Sequence, residues 1–301
     1  MSILITGATG LVGKALTKRL QDAGETIHYL TTSPDKIENK PNYKGFLWNP
    51  KKKELDPASL HRVTCIIHLA GASIAKRWTS SYKKTLIESR VVTAQLLYET
   101  LKKNNHEVTH FISASAIGAY PSSKNINYSE SCDEYNPGFL GKVVEVWEHE
   151  ADTFKELGLL VSKVRIGVVL AEDGGALDKL LQPIKMYVGA PLGTGDQWQS
   201  WIHIEDLSGV FSYVVANKLE GIYNAVAPFP VTNKTMTVEA AKILGKPLFL
   251  PNVPDFMLKL LLGEMAAIVL ESQKVSSKKI EQEGYTFKYS QIDGALQDIL
   301  A

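Results

Sequence analysis

A glycine-rich segment at the start of the chain constrains the fold more than any other feature. "SILIT" has the apolar pattern of a short strand and "LVGKALTKRLQDAG" that of an amphipathic helix. Gly7, Gly10 and Gly13 lie between and within these two elements. Glycines at this spacing permit a tight turn and let backbone N–H groups approach a pyrophosphate at the start of a helix. The predicted contact residues of the turn are Gly7, Thr9, Gly10, Leu11, Val12 and Gly13.

The first half of the chain alternates apolar strand-like runs with amphipathic helical stretches. The runs "TIHYLTTS", "TCIIHLAGA", "VTHFISASA" and "LVSKVRIGVVLA" are separated by helical segments of suitable length. This rhythm predicts an α/β fold, a Rossmann-type doubly wound parallel sheet with helices on both faces. After Ala171 the sequence becomes richer in glycine and aromatic residues. We predict a dinucleotide-binding domain over 1–170, further sheet elements around 200–228, and a smaller substrate-binding lobe over 171–301.

Composition excludes several classes of protein. The 301 residues carry a formal net charge of +1, so no global field attracts nucleic acid or an anionic membrane. The two cysteines indicate neither a disulfide framework nor a metal site, and no apolar run is long enough to span a bilayer. Since the first strand begins almost at the initiator Met, we expect no signal peptide and a cytoplasmic protein. The basic segment "NPKKKELD" (49–56) is expected to be a solvated loop.

The end of the second predicted strand bears on the choice of cofactor. A fold that prefers NAD places Asp or Glu there, to bind both ribose hydroxyls. Here Thr31, Thr32 and Ser33 occupy that place, and the acidic Asp35 comes only after Pro34. Uncharged hydroxyls tolerate a 2′-phosphate better than a carboxylate does. The sequence therefore favours NADP, while NAD stays open because no arginine accompanies these residues and only Lys36 offers a charge.

Several motifs in fixed order carry a resemblance that covers essentially the whole chain. They are "TGATGLVG", "HLAGA" (68–72), "KRW" (76–78), the pair Ser89 and Arg90, "SASAIGAY" (113–120), "LGTGDQWQSWIHIEDL" (192–207), "NAVAP" (224–228) and "LESQKV" (270–275). With this set the chain resembles the extended short-chain dehydrogenase/reductase superfamily, and most closely its atypical, epimerase-family (sugar-nucleotide-epimerase-like) branch. The resemblance implies a Rossmann-type domain with a small C-terminal lobe.

The resemblance also implies roles for individual residues. Ser115 matches the catalytic serine, which polarises a substrate carbonyl. The residues expected along the adenosine and ribose of the cofactor are Leu69, Ala70 and Gly71. Arg90, a charge on a long helix, is expected to reach the cofactor or the substrate. Substrate-side candidates are Arg77, Trp78, Trp201 and His203, and for each of these a surface, packing or hydrogen-bonding role is the alternative.

The tyrosine and lysine that the superfamily uses for proton transfer are not in their usual place. Tyr120 and Lys124 have the Tyr-x-x-x-Lys spacing, but the intervening "PSS" favours a turn rather than the helix that would align them. Counting from Ser115, the expected tyrosine position falls at Phe139 and the lysine position at Val143. Lys142 is one residue away from that lysine position. Tyr120, or a water held nearby, and Lys142 are therefore the proton-transfer candidates.

Two functions follow from these observations. The first is an NAD(P)-dependent oxidoreductase or epimerase acting on a small carbonyl or sugar-nucleotide-like substrate. The second is an NADP-binding sensor or regulatory protein with little or no turnover, which the missing tyrosine and lysine favour. No nucleic-acid, membrane or metal partner is expected, and the long helix "YKKTLIESRVVTAQLLYETL" (82–101) offers a surface for a homodimer.

Overall fold

The computed structural model describes residues 1–172 and 174–300. The strands are β1 Ser2–Thr6, β2 Thr26–Thr31, β3 Asn39–Lys40, β4 Tyr43–Asn49, β5 Glu54–Leu55, β6 Cys65–His68, β7 His110–Ala116, β8 Ser123–Tyr128, β9 Leu160–Ile166, β10 Val168–Leu170, β11 Trp198–Gln199, β12 Trp201–His203, β13 Gly221–Ala225, β14 Val231–Thr232 and β15 Gln273–Val275. The helices are α1 Leu11–Asp22, α2 Ser80–Lys103, α3 Phe139–Asp152, α4 Gly175–Lys185, α5 Ile204–Asn217, α6 Asn233–Ile243, α7 Asp255–Leu262, α8 Ala267–Leu270, α9 Lys278–Gln282 and α10 Ile292–Leu300.

A parallel sheet dominates the fold, as the alternating pattern predicts. Its central strands run in the order β4-β2-β1-β6-β7-β9-β13, all parallel, with β3 and β5 added antiparallel to β4. After β4 and β5 the chain returns to form β6 on the other side of β1, so the winding direction reverses between β1 and β6. In open α/β sheets a crevice forms at such a reversal, outside the carboxyl ends of the strands, and ligands bind there.

Both faces of this sheet are covered by helices. Ile3 and Ile5 of β1 pack into a cluster with residues of α1 and α5, whereas Leu4 between them packs into a second cluster with residues of α2. Successive side chains of a strand point to opposite faces, so a strand buried on both sides has a continuous apolar sequence. This explains why "SILIT" shows no alternation of apolar and polar residues.

The smaller lobe is built from both halves of the chain. Its four-stranded sheet has the order β14-β11-β15-β8, and β8 comes from the first half of the sequence. Lys124 lies in β8, which pairs in parallel with β15, so it is in neither a turn nor the helix that would align it with Tyr120. A third apolar cluster joins α4, α6 and α10 around Trp201. β13, in contrast, extends the main sheet beside β9, so the later part of the chain contributes to both sheets.

Candidate functional site

The turn between β1 and α1 depends on three glycines, because a Cβ at each of them would come close to backbone atoms. Gly7 has φ +73°, and a Cβ there would lie 3.0 Å from the carbonyl carbon of Leu69. A Cβ on Gly13 would lie 2.1 Å from the carbonyl oxygen of Gly7, and one on Gly10 would lie 3.3 Å from the same oxygen. The amide of Gly10 donates to this oxygen at 3.0 Å. The turn is thus as tight as the glycine spacing predicts.

The start of α1 is suited to an anion. Gly10 occupies the position before the helix, no side chain caps the first turn, and that turn contains no acidic residue. The first N–H groups of a helix have no partner within the helix and carry a partial positive charge. The turn therefore presents free backbone donors at the crevice between β1 and β6, where a pyrophosphate would fit.

A buried hydrogen-bond network fixes the neighbouring strand end. The Thr6 hydroxyl oxygen accepts from the amides of Leu69 and Ala70 at 3.1 and 3.0 Å, and lies 2.8 Å from His68 Nδ1. Because that oxygen already accepts two N–H groups, its proton goes to Nδ1, which leaves Nε2–H to donate to Thr93 at 3.2 Å. Burial lowers the pKa of His68 to about 4. A neutral imidazole thus links the end of β6 to β1, a role that was not predicted from the sequence.

A groove of about 1220 Å³ extends from this strand end over the end of β2. Thr31, Thr32 and Ser33 line it, as do residues 49–54, which connect β4 to β5. Four lysines are among the lining residues: Lys36, Lys51, Lys52 and Lys53. The glutamates of the lining are Glu54 and Glu88. The lysines of "NPKKKELD" are exposed, as expected, but they border the groove instead of facing solvent alone.

Arg90 lies beside the end of β6 in an unusual environment. It is only 9% exposed and stacks over Trp147 of α3, with 4.6 Å from Cζ to the ring centroid. Nη1 donates to the carbonyl oxygen of Leu86 at 2.8 Å, and Nε has no partner among the described residues. A Cβ on Gly71 would lie 3.1 Å from Cζ. Burial lowers the pKa of Arg90 to about 10, and no carboxylate in the described part of the chain offsets this.

Ser115, at the end of β7, belongs to a buried ionic network. Its hydroxyl donates to Glu148 Oε1 at 2.5 Å. Arg165 of β9 donates to both carboxylate oxygens of Glu148 at 2.8 and 2.9 Å, and Tyr135 donates to Oε2 at 2.9 Å. Burial alone would raise the pKa of Glu148, but the bonds from Arg165 and Ser115 hold it below its ordinary value.

Glu148 and Arg165 were not among the residues predicted from the sequence. The available signal was weak, because other polar groups surround both residues: "VEVWEHEA" contains three glutamates and a histidine, and "SKVRIGVV" contains Lys163 as well as Arg165. Buried charges are rare and are nearly always paired, but the sequence does not show which of these charged residues are buried. The sequence does not show that the helix and the strand bring them together.

Tyr120 and Lys142, the two proton-transfer candidates, do not lie with Ser115 in an open site. Tyr120 is fully buried, and its hydroxyl donates to Asn224 Oδ1 at 2.8 Å. Burial raises its pKa to about 12, which opposes ionisation. Lys142 is exposed on α3. Phe139 begins α3 and Val143 is buried one turn later, so the positions counted from the sequence hold side chains that transfer no proton.

The substrate-side candidates divide into two groups. Trp78 packs edge-on against Phe139 at a centroid distance of 5.1 Å, and Arg77 beside it is exposed. Trp201 is fully buried and donates to the carbonyl oxygen of Phe229, so it offers no surface to a substrate. His203 is 2% exposed, and its Nδ1 caps α5 by accepting from the amide of Glu205 at 3.2 Å. In this structure Trp201 and His203 have the packing and capping roles that the sequence analysis gave as the alternative to substrate contact.

The described residues contain no cluster of three or more His, Cys, Asp or Glu able to hold a metal ion. None of the helices in the described part of the chain is both long and apolar enough to cross a membrane.

Comparisons with known proteins agree with this architecture. The profile of the NAD dependent epimerase/dehydratase family matches residues 3–139, and that of a domain of unknown function (DUF1731) matches residues 253–299. An epimerase family protein of Staphylococcus aureus strain MRSA252 is 36% identical over 299 residues, which are 99% of this chain and 98% of the relative. The chain belongs to the epimerase family. The resemblance inferred from the motifs is thereby confirmed.

Solved structures of this family extend the likeness to three dimensions. A human epimerase family protein, crystallised with NADPH, superposes with a TM-score of 0.87 at 29% identity, over 100% of this chain and 99% of that one. A nucleoside-diphosphate sugar epimerase from Corynebacterium glutamicum gives a TM-score of 0.79 at 31% identity, over 100% of this chain and 58% of that one. The predicted α/β fold with a parallel sheet and a smaller lobe is confirmed.

Proposed function

We propose that this epimerase-family chain is an NADP-dependent oxidoreductase or epimerase of the short-chain dehydrogenase type, acting on a small carbonyl or sugar-nucleotide-like substrate. The observation that carries the proposal is the glycine turn at the crevice between β1 and β6. Gly7 and Gly13 leave room only for backbone, and the start of α1 offers free N–H groups without a competing carboxylate. Such a cradle fits a dinucleotide pyrophosphate.

The groove supports NADP as the cofactor. Its end beyond β2 carries hydroxyls from Thr31, Thr32 and Ser33, and no carboxylate lies within that triplet. Lys36 and the lysines of 51–53 supply cations that a 2′-phosphate would need, because phosphate recognition depends on positive charge. The human relative solved with NADPH is consistent with this assignment. The remaining cofactor contacts in the proposal are Thr9, Gly10, Leu11, Val12, Leu69, Ala70, Gly71 and Arg90.

Ser115 is the proposed carbonyl-binding residue. When bound, the nicotinamide ring supplies or accepts a hydride. To donate to a substrate oxygen, Ser115 must rotate its hydroxyl away from Glu148. Arg165 and Tyr135 keep the carboxylate of Glu148 hydrogen-bonded when this happens, so the rotation exchanges a single hydrogen bond. Since Tyr120 is buried and paired with Asn224, we assign the proton to a water molecule at the site.

A second candidate function is a cofactor-binding sensor with little or no turnover. The observation that favours it is the pair Phe139 and Val143, where the superfamily resemblance expects the proton-transferring tyrosine and its lysine. Neither side chain has a group that transfers a proton. The two functions share the same cofactor site and differ in whether a carbonyl substrate is turned over.

The deciding experiment has two stages. The first is titration with NADPH and with NADH, followed by nicotinamide fluorescence; we expect micromolar binding of NADPH and weaker binding of NADH. The second is NADPH oxidation with a panel of aldehydes, ketones and quinones, in the wild-type protein and in Ser115→Ala. Turnover that Ser115→Ala removes supports the enzyme. Tight binding with no turnover on any carbonyl supports the sensor, and binding of neither nucleotide refutes both.

A further inference from the structure

Helix α2 presents two cations to the face of α3 that carries Phe139 and Val143. Lys83 and Arg90 are seven residues apart, which places them on the same side of α2 two turns apart. Lys83 Nζ lies 5.0 Å from the centroid of Phe139, and Arg90 Cζ lies 4.6 Å from that of Trp147. Phe139, Val143 and Trp147 follow one another at four-residue spacing, so both cations cover one face of α3.

The two cations differ in how they are compensated. Lys83 forms an ion pair with Glu264 of the smaller lobe, and its side chain is 25% exposed. Arg90 is buried, and its hydrogen-bond acceptors among the described residues are backbone carbonyl oxygens, those of Leu86 and, at 3.5 Å, of Ala72. Its Nε–H has no acceptor in the described part of the chain. A buried charge without a counter-charge destabilises a protein, so Arg90 is placed to receive an acceptor from outside the chain.

The position of Arg90 shows where that acceptor would lie. Gly71, at the end of β6, is so close that a Cβ would contact the guanidinium at 3.1 Å. Gly71, Ala72 and Ser89 line one end of the groove, called here its inner end. Arg90 lies directly behind this part of the groove wall. This end of the groove is on the β6–β7 side of the glycine turn, away from the hydroxyls and lysines beyond β2. With the 2′-phosphate at those lysines, the inner end would hold the half of a dinucleotide that does not carry the adenosine, and Gly71 would then lie beside this half rather than beside the adenosine that the family resemblance implies for it.

We propose that Arg90 binds the nicotinamide-nucleotide half of the cofactor from α2, and so replaces the lysine that α3 lacks at Val143. This assignment rests on the proposed function, because it requires a dinucleotide in the groove. In this proposal the Arg90 guanidinium donates to an acceptor oxygen of the nicotinamide nucleotide. Arg90 is a binding residue in this scheme, and Trp147 positions it by stacking against the planar guanidinium.

The test compares a whole dinucleotide with its adenosine half. The Kd values of NADPH and of adenosine 2′,5′-bisphosphate are measured by calorimetry for the wild type, Arg90→Met, Arg90→Lys and the control Lys84→Met. Lys84 is on α2 too, but its side chain is 76% exposed and, in the described part of the chain, forms an ion pair with Glu88 alone. Thermal unfolding of each protein without ligand shows whether it folds.

We expect Arg90→Met to weaken NADPH binding about 10- to 100-fold, the loss of one or two charge-assisted hydrogen bonds. Binding of adenosine 2′,5′-bisphosphate should stay within about twofold, since this ligand lacks the nicotinamide nucleotide. Arg90→Lys should recover part of the NADPH affinity, and Lys84→Met should match the wild type. Without ligand, Arg90→Met should unfold no earlier than the wild type, because Met packs well on Trp147 and removes a buried charge.

Two results overturn the assignment. One is unchanged NADPH affinity in Arg90→Met. The other is an equal loss of affinity for both ligands, which a merely structural role of Arg90 would produce. If Arg90→Met does not fold, the loss of NADPH affinity is instead compared with the loss of adenosine 2′,5′-bisphosphate affinity in Arg90→Lys. Failure of the wild type to bind either ligand is a different outcome, because it refutes the cofactor site itself and the Arg90 assignment with it.

Discussion

Replacing Gly13 by alanine adds one methyl group at the tightest contact of the glycine turn. The new Cβ would lie 2.1 Å from the carbonyl oxygen of Gly7, whereas real Cβ contacts are essentially never shorter than 3.0 Å. The obstacle is backbone, so no side chain can rotate away. The turn and the start of α1 must separate by about 1 Å, and overpacking of this kind costs roughly 1–3 kcal/mol of unfolding free energy.

The same displacement should abolish tight binding of the cofactor. A pyrophosphate accepts hydrogen bonds from the N–H groups at the start of α1, and each bond to a charged group contributes roughly 1.5–3 kcal/mol. Misplacing two of them by about 1 Å predicts a loss of NADPH affinity of at least about 100-fold. Nicotinamide fluorescence measures the affinity, and thermal unfolding without ligand measures the cost to the fold.

Two matched substitutions calibrate this result. A Cβ on Gly10 would lie 3.3 Å from the same Gly7 oxygen, so Gly10→Ala needs a shift of only a few tenths of an ångström. Its NADPH affinity should fall about tenfold or less. Gly294 of α10 has open space around a Cβ, and Gly294→Ala should leave binding unchanged and stabilise slightly, as alanine does in helices. If Gly13→Ala keeps NADPH affinity within about threefold of the wild type, the turn does not bind the pyrophosphate.

Three further outcomes are expected. Changing Lys51, Lys52 and Lys53 together to alanine should weaken NADPH at least about tenfold and NADH less than about twofold; equal losses would show that these lysines do not meet a 2′-phosphate. Glu148→Gln should lower the unfolding free energy by roughly 3–5 kcal/mol. Because the pKa of Glu148 is depressed in the folded protein, its ionised form stabilises the fold above its ordinary pKa of 4.5, and this stabilisation is lost as the pH falls through the pKa of the folded protein. Glu148→Gln has no carboxylate to protonate here, so acid should lower its unfolding free energy less than that of the wild type. Tyr120→Phe should retain within about twofold any carbonyl reduction that the wild type shows, and a loss of about 100-fold or more would restore Tyr120 as the proton donor.

The parts of the fold that the sequence predicts are those set by local pattern. The glycine turn and the parallel strands follow from residues close together in sequence, since burial on both faces gives continuous apolar runs such as "SILIT". The hydroxyls at the end of β2 were found the same way. Each of these features depends on residues within one or two neighbouring elements.

The parts that the sequence does not predict depend on pairings between distant segments. Lys51–Lys53 border the groove only because β4 and β5 pair and turn this segment toward β2. Glu148 and Arg165 are 17 residues apart and meet because α3 packs on β9. The local sequence around Tyr120 does not show that its side chain is buried, or that its hydroxyl bonds to Asn224, 104 residues later. No pattern of neighbouring residues indicates which of these distant segments contact each other.

The four-stranded sheet of the smaller lobe also fixes the order in which the chain can fold. β8 at 123–128 has β15 at 273–275 as its partner, so about half of the chain must be synthesised after β8 before that strand can pair. During synthesis the main sheet can form around an unpaired segment that includes the exposed Ile126. A fragment ending near residue 170 would keep the glycine turn but leave β8 without its partner, and unpaired strands associate with one another. The dinucleotide half of this protein should therefore aggregate when it is produced alone and become well behaved only when residues up to β15 are supplied.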